Sequence, residues 1–517
     1  MAASASTTDA VAARTRTRTT YADTNTNTNA NNTNPFILPE LIHRLSRFTT
    51  LHDSLSCALV CRAFSEIFIP VIWFSVDFDL QPRFTGLPSS VVTKHGHHIR
   101  IVENIQSCAE VRVLANPQVQ RLRKIKYMDT TGSNLQHILG FEIVSRNSAS
   151  LVRLDLVPDD PVPVGEENRL ANYIQVTALI PPFGSPQASK LYRLCIMDLH
   201  LTFEGLMTIF HGCPQLTKLG LVNVTILGKP TNPQQLYQHP NISFLSCLHQ
   251  ALFRTDPLDR HQPTPSLLLH LPHLKTIELC DHEVENNPSP STLNTIPPRA
   301  LLSELSRHCP NLTGLRVQGL RDCTDLVSAF CSTPISRQVS ELAFDYDHIS
   351  LGIITSLLLH PQSLTSVKIY RGVDFILDRD VVPIVDDHFW AQGQFMQLVP
   401  RTCKGLRILD IHLHEMDMDV VEMGKWVCKD LRRLRVRIKG LDTRERILET
   451  IALWRKEWRA RRNNLPSSLD VSNSNSNGNS ANGQTNDLSI EERVVRHLLK
   501  LENLEIVWLG CQDWSPF

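Results

Sequence analysis

The sequence predicts an α/β chain in which a small helical block is followed by a solenoid of helix–strand units. Two observations carry that prediction. A short leucine-containing frame returns through most of the chain at a nearly regular step. A single block near the front, Leu38 to Trp73, has helical apolar spacing that nothing downstream repeats.

The frame is clearest in four copies. "CPQLTKLGL" (Cys213, Leu216, Leu219, Leu221), "CPNLTGLRV" (Cys309, Leu312, Leu315, Val317), "CKGLRILDI" (Cys403, Leu406, Leu409, Ile411) and "CKDLRRLRV" (Cys428, Leu431, Leu434, Val436) all read Cys-x-x-Leu-x-x-apolar-x-apolar. It recurs without cysteine at Leu122, Leu151, Leu191, Leu274, Val339, Leu364 and Leu504. The tightest steps, such as 191 to 216 and 312 to 339, fall at 25 to 29 residues, and the interval 216 to 274 leaves room for one degenerate unit. The last two apolar positions of a frame are two apart, so on a strand they share one face. The stretch before the frame is helical: in "EGLMTIFHGC" Leu206, Ile209, Phe210 and Cys213 form one stripe. One helix and one short strand cannot bury their apolar faces alone, and stacking units buries them continuously.

These residues resemble the cysteine-containing leucine-rich repeats, in which Cys-Pro-x-Leu follows the helix. The resemblance implies a horseshoe-shaped solenoid over residues 101–517, interrupted by a disordered loop at about 463–488. That loop is expected because "SNSNSNGNSANGQTND" is polar and repetitive. Residues 1–34 have the same character and are expected to be a disordered tail, with 79–100 as a linker.

Formal net charge is zero, so bulk charge argues for neither nucleic acid nor an anionic membrane. No run of about 18 apolar residues occurs, so no membrane partner is expected. The 13 cysteines include no Cys-x-x-Cys pair and no secretory signal precedes them, which points to reduced thiols in the cytoplasm or nucleus. The frame cysteines are expected in the core rather than on a metal, because other units put Ala188, Leu271, Leu501 or Val119 at that position.

"KHGHH" (His95, His97, His98) lacks the partners a zinc site needs and is expected to be solvated linker. "HLHE" puts His412 and His414 on one strand face, without a helical His-Glu-x-x-His pattern. No phosphate loop, dinucleotide fingerprint or nucleophile elbow is present, so neither a catalytic site nor a cofactor is expected. A helix from about Thr443 carries an Ile447, Ile451, Trp454, Trp458 stripe and ends on Arg459, Arg461 and Arg462. Those cations suit a helix C-terminus better than a nucleic-acid patch. In "LRRLRVRIKG", Arg433, Arg435 and Arg437 alternate with Leu434 and Val436, so three cations share one strand face.

The front block begins Leu38-Pro39, with Pro near a helix start. Leu41, Ile42 and Leu45 make one short stripe; Leu55, Leu59, Val60, Phe64 and Ile67 make a second. About 40 residues barely support a core alone, so the block must dock on something. It resembles an F-box: Leu38-Pro39, Val60-Cys61-Arg62-Ala63-Phe64 and Ile72-Trp73 match the family pattern, with Phe64 where Trp is usual and a polar "FTTLHDS" between the first two helices. The resemblance sets an F-box-like domain at 35–78.

What the two resemblances together imply is a substrate-recruiting subunit of a cullin-based ubiquitin ligase, itself not an enzyme. Leu38, Pro39, Ile42, Leu45, Leu59, Val60, Cys61, Phe64 and Trp73 would bind the Skp-type adaptor, and through it a cullin. The repeats would hold a protein substrate. Arg433, Arg435 and Arg437 suggest an acidic or phosphorylated one. The alternative is a repeat-based scaffold whose helical block only caps the solenoid; a cap keeps Leu38, Ile42, Val60 and Trp73 packed away, whereas an F-box offers many of them to a partner.

Overall fold

The computed structural model describes residues 39–46, 48–128, 134–156, 189–197, 200–222, 224–227, 237–248, 267–280, 298–318, 338–345, 363–370, 397–441, 443–463 and 488–510. The tail 1–34 and most of the loop at 463–488 lie outside them. The chain divides into two units, Met1–Ile72 and Trp73–Phe517.

The first unit holds three helices, α1 (Pro39–Leu45), α2 (Leu51–Ala58) and α3 (Arg62–Ile72). The polar tract between α1 and α2 is the start signal of α2. Thr50 caps the helix by accepting from the Asp53 amide, and the Asp53 carboxylate accepts in return from the Thr50 amide. The Thr50 hydroxyl also donates to that carboxylate at 2.7 Å, and this bond holds the exposed Asp53 acid below its usual pKa. Ile42 and Phe68 are buried, and Phe64 stacks on Phe68 with ring centroids 5.8 Å apart.

The second unit is built on one open parallel sheet of fourteen strands in mixed α/β order. The strands are β1 (Ser75–Asp77), β2 (Ile101–Ile105), β3 (Lys124–Met128), β4 (Arg153–Leu156), β5 (Arg193–Met197), β7 (Lys218–Val222), β9 (Phe244–Leu248), β10 (Thr276–Cys280), β11 (Gly314–Gln318), β12 (Glu341–Asp345), β13 (Ser366–Tyr370), β14 (Ile408–Met416), β15 (Arg433–Ile438) and β16 (Ile506–Leu509). They lie side by side in chain order; β6 (His200–Thr202) and β8 (Thr225–Leu227) pair separately.

The register explains the frame. Its second apolar position forms an unbroken rung across the sheet, from Val76 and Val102 through Leu194, Leu219 and Leu245 to Leu434 and Val507. Every residue of that rung is buried. Each such side chain contributes roughly 2 kcal/mol of gross hydrophobic stabilisation. A second repeating device sits at the strand entrances, where one carbonyl accepts two successive amides of the next strand. Tyr192 O takes the Thr217 and Lys218 amides, and Arg432 O takes those of Glu505 and Ile506. The Cys-x-x-Leu spacing is a turn: the Leu216, Leu312, Leu406 and Leu431 amides donate to the carbonyls of Cys213, Cys309, Cys403 and Cys428. All four thiols are fully buried, and burial pushes the thiol pKa of Cys309 and Cys428 up to about 12. The helix stripe Leu206, Ile209, Phe210 on Phe203–Gly212 is fully buried beside Cys213.

Eleven of the fourteen strands stand where a frame was expected. The other three each depart from it for a physical reason. On β9 the frame is Ile242, Leu245, Cys247, and His239 occupies the cysteine position. His239 Nδ1 accepts from the Asn241 and Ile242 amides, so Nε2 carries the proton and donates to Cys213 O at 3.1 Å. On β2, Asn104 adopts φ 58° and the last apolar position falls one residue late, at Ile105; β3 shares this offset, Ile105 pairing with the buried Met128, and the ladder slips between β3 and β4. On β1 the frame is aromatic: Trp73, Val76, Phe78, all buried.

The unit boundary therefore falls before Trp73, earlier than the expected end at 78. Residues 79–100 are not a plain linker. They form a 3-10 turn (Pro82–Gly86) and a helix (Ser89–His95), with Val92 and Ile99 buried. His95 of the "KHGHH" cluster packs on Trp73 at 5.3 Å. His412 and His414 fall within the register shift between Ile411 and Glu415 of β14, outside the paired ladder.

Candidate functional site: two protein-binding surfaces

The helical unit exposes what the sheet unit hides. Twelve large apolar side chains are exposed among the described residues, and seven of them lie between 41 and 60: Leu41, Leu45, Phe48, Leu51, Leu55, Leu59 and Val60. Leu59 and Phe48 are 88% and 87% exposed, and Val60 is 68% exposed. Such density of apolar surface on so short a segment exceeds ordinary scatter and makes it the candidate surface of this unit. Leu59 is the C-cap of α2 and Val60 follows it in the turn to α3, which places both at a helix corner.

The residues expected to bind an adaptor divide accordingly. Leu45, Leu59, Val60 and Cys61 are exposed, and Phe64 is half-buried against Phe68. Pro39 opens α1, and Leu38 lies outside the described residues. Ile42 and Trp73 differ from the others in being buried: Ile42 is 2% exposed, and Trp73 is interior to the sheet unit, edge-on to Phe84 at 5.1 Å. A β-strand frame and a helical motif both end or begin on an aromatic at this position, so the sequence alone does not separate the two roles. Phe48, Leu51 and Leu55 are exposed but not among the residues expected to bind an adaptor, although Leu55 opens the second stripe and stands four from Leu51, the helical spacing that signals a shared face.

The second surface is the polar face of the sheet. Arg433, Arg435 and Arg437 do share it, as expected. The register nonetheless sets carboxylates opposite two of them: Asp410 faces Arg435 at 3.9 Å, and Glu415, brought in by the β14 bulge, faces Arg437 at 4.0 Å. The stripe is thus a row of ion pairs with Arg433 most exposed, not a bare cationic face.

Across the N-terminal strands the same face carries more positive charge. Lys124, Arg153, Arg193 and Lys218 occupy consecutive register positions on β3, β4, β5 and β7. Asp155 is buried between two of them, accepting from Arg153 Nε at 2.7 Å and from Arg193 Nε at 3.2 Å. Glu103 pairs with Lys126. Further along, Arg316 lies over the Phe244 ring at 5.4 Å and faces Glu278 at 3.9 Å. Burial raises the Glu278 acid above its usual pKa, against the opposing pull of Arg316. No group of three His, Cys, Asp or Glu among the described residues is arranged to hold a metal ion. No helix among them is long and apolar enough to cross a membrane.

The basic end of the long helix Arg444–Arg462 is tied into the structure. Arg461 donates to Leu499 O at 3.2 Å, and Arg462 covers the Trp458 ring at 5.1 Å. In comparisons with known proteins, the chain matches no protein-family model and no curated protein.

Proposed function

We propose that this chain recruits substrates to a cullin-based ubiquitin ligase. The helical unit acts as an F-box that docks a Skp-type adaptor, and the sheet unit acts as a leucine-rich-repeat solenoid whose polar face holds the substrate. The observation that supports this most is the apolar surface at Leu41–Val60, which a three-helix unit of this size has no reason to leave in water unless a partner covers it. Of the four residues that the cap alternative packs away, Val60 is exposed, Ile42 and Trp73 are buried, and Leu38 lies outside the described residues. The chemistry would then be a partner's, and this chain would act by proximity, raising the effective concentration of substrate lysines near a charged ubiquitin carrier.

The test is co-purification of the full chain with a Skp-type adaptor, comparing wild type with a Leu59→Ser, Val60→Ser double variant. Small helical interfaces concentrate their energy in a few anchors, so capture is expected to fall at least about tenfold. Wild-type capture by the variant, or no capture by wild type, rejects the F-box reading.

A further inference from the structure

We propose that the polar face of strands β3–β7 is a binding site for an acidic, extended peptide segment, and that Lys124, Arg153, Arg193 and Lys218 are its contact residues. Only the identification of that peptide with a ubiquitylation substrate rests on the function proposed above; the binding itself does not.

Geometry comes first. The four residues come from four different strands, yet the register sets them next to one another. Strands lie about 4.8 Å apart, so the row spans about 14 Å, the length of four or five extended residues. It is bounded by Ile101 on one side and Phe244 on the other.

The charge balance selects this row over the arginine stripe. On β2–β7 this face carries Lys124, Lys126, Arg153, Arg193 and Lys218 against Glu103 and Asp155, a local charge of +3. On β14–β15, three arginines meet two carboxylates, a local charge of +1. Among the described residues neither Lys124 nor Lys218 has a carboxylate within ion-pair distance, and Lys218 is exposed. Asp155 accepts from Arg193 through Nε, and the buried carboxylate holds both the Arg153 and Arg193 guanidiniums in place. Arg100, Arg121 and Arg123 gather at the entrance of the same strands. Burial first, and then the Arg121 and Arg123 charges, push the Arg100 pKa below its usual value.

The occupant is a peptide rather than a nucleic acid for two reasons. The row is short, and Asp155 lies between two of its members with Glu103 at its β2 side, where closely spaced phosphates would meet them. A short run of side-chain carboxylates or phosphoserines can place its charges between them.

The test is fluorescence anisotropy on the full chain. Three labelled twelve-residue peptides alternate serine with glutamate, with phosphoserine, or with glutamine, and a single-stranded RNA of twelve nucleotides is the fourth probe. At least one anionic peptide is expected to bind, the glutamine peptide is not, and binding should weaken as salt rises. Comparison of the glutamate and phosphoserine peptides distinguishes the two sources of charge. Lys124→Glu with Lys218→Glu should weaken binding at least about tenfold, while Arg433→Glu, Arg435→Glu, Arg437→Glu together should change it less than about threefold. If the charge-reversed pair melts abnormally, Lys124→Gln with Lys218→Gln replaces it, with a loss of several-fold expected. Equal binding of the glutamine peptide, insensitivity to the lysine substitutions, or preferred RNA binding through the same lysines overturns the proposal. Adaptor capture measured on the same preparations separates the two hypotheses: peptide binding without capture leaves this site standing and removes the ligase assignment.

Discussion

The helical unit and the sheet unit use the same apolar residue types in opposite ways. In the sheet unit a leucine at the second frame position meets identical positions on both neighbouring strands and disappears from solvent. In the helical unit Leu45, Leu55 and Leu59 have helical spacing but no neighbour repeating them, and they stay exposed. Repetition supplies each sheet residue with a partner from the same chain. A unit present once has no repeating neighbour to supply one, and its exposed leucines are the surface on which the proposed adaptor docking rests.

Substitutions break that comparison in order of size. Leu219→Asp places an unpaired charge in the middle of the buried rung, which costs several kcal/mol. Loss of the cooperative melt and of soluble protein is the expected outcome, and an unchanged melt would mean that the rung is not continuous core.

Ile42→Ala and Leu59→Ala then compare inside with outside within one unit. The first is expected to destabilise the helical unit by about 2–4 kcal/mol and the second by no more than about 0.5 kcal/mol. Circular dichroism melts of both variants check it. Equal effects would erase the distinction between the two faces.

Acid separates the two units further, because the buried histidines among the described residues lie in the sheet unit. Burial lowers the pKa of His239 and His270, and lowers that of His497 to about 4. For His497 the nearby Lys500 and Arg401 push the same way, and Glu422 opposes them. The folded state keeps these rings neutral, whereas the unfolded chain protonates them near pH 6.5. Stability is therefore intact above about pH 6.5 and falls as pH drops toward about 4, by on the order of 3 kcal/mol from His497. Denaturation midpoints from pH 7 to 4.5 measure this, and His497→Phe should flatten the decline. A midpoint independent of pH contradicts neutral burial.

The smallest effect is expected at the frame cysteines. Cys213→Ala removes one fully buried sulfur and should cost about 1 kcal/mol, whereas Cys213→Asp should not fold. Zinc that co-purifies in stoichiometric amount and is lost in Cys213→Ala would instead assign the thiol to a metal.

The sequence by itself carried the eleven strands announced by a leucine frame, the buried helix stripe at Leu206, Ile209 and Phe210, and the burial of the frame cysteines. Each of these depends on spacing within about ten residues, which is where helix and strand periodicity operate. It also marked the helical block, and it placed three arginines correctly on one face of β15. What the tertiary structure alone decided were matters of register and substitution. His239 stands in for a cysteine because its ring satisfies two amides of its own turn and the Cys213 carbonyl of the preceding unit. Trp73 belongs to the first strand of the sheet because β1 pairs with β2. Asp410 and Glu415 temper the arginine stripe, and Lys124, Arg153, Arg193 and Lys218 form a row, because parallel pairing juxtaposes residues 22 to 40 positions apart. Apolar burial is legible along the chain because every repeat states it again; charge pairing is not, because it is a property of two strands and neither one states it alone.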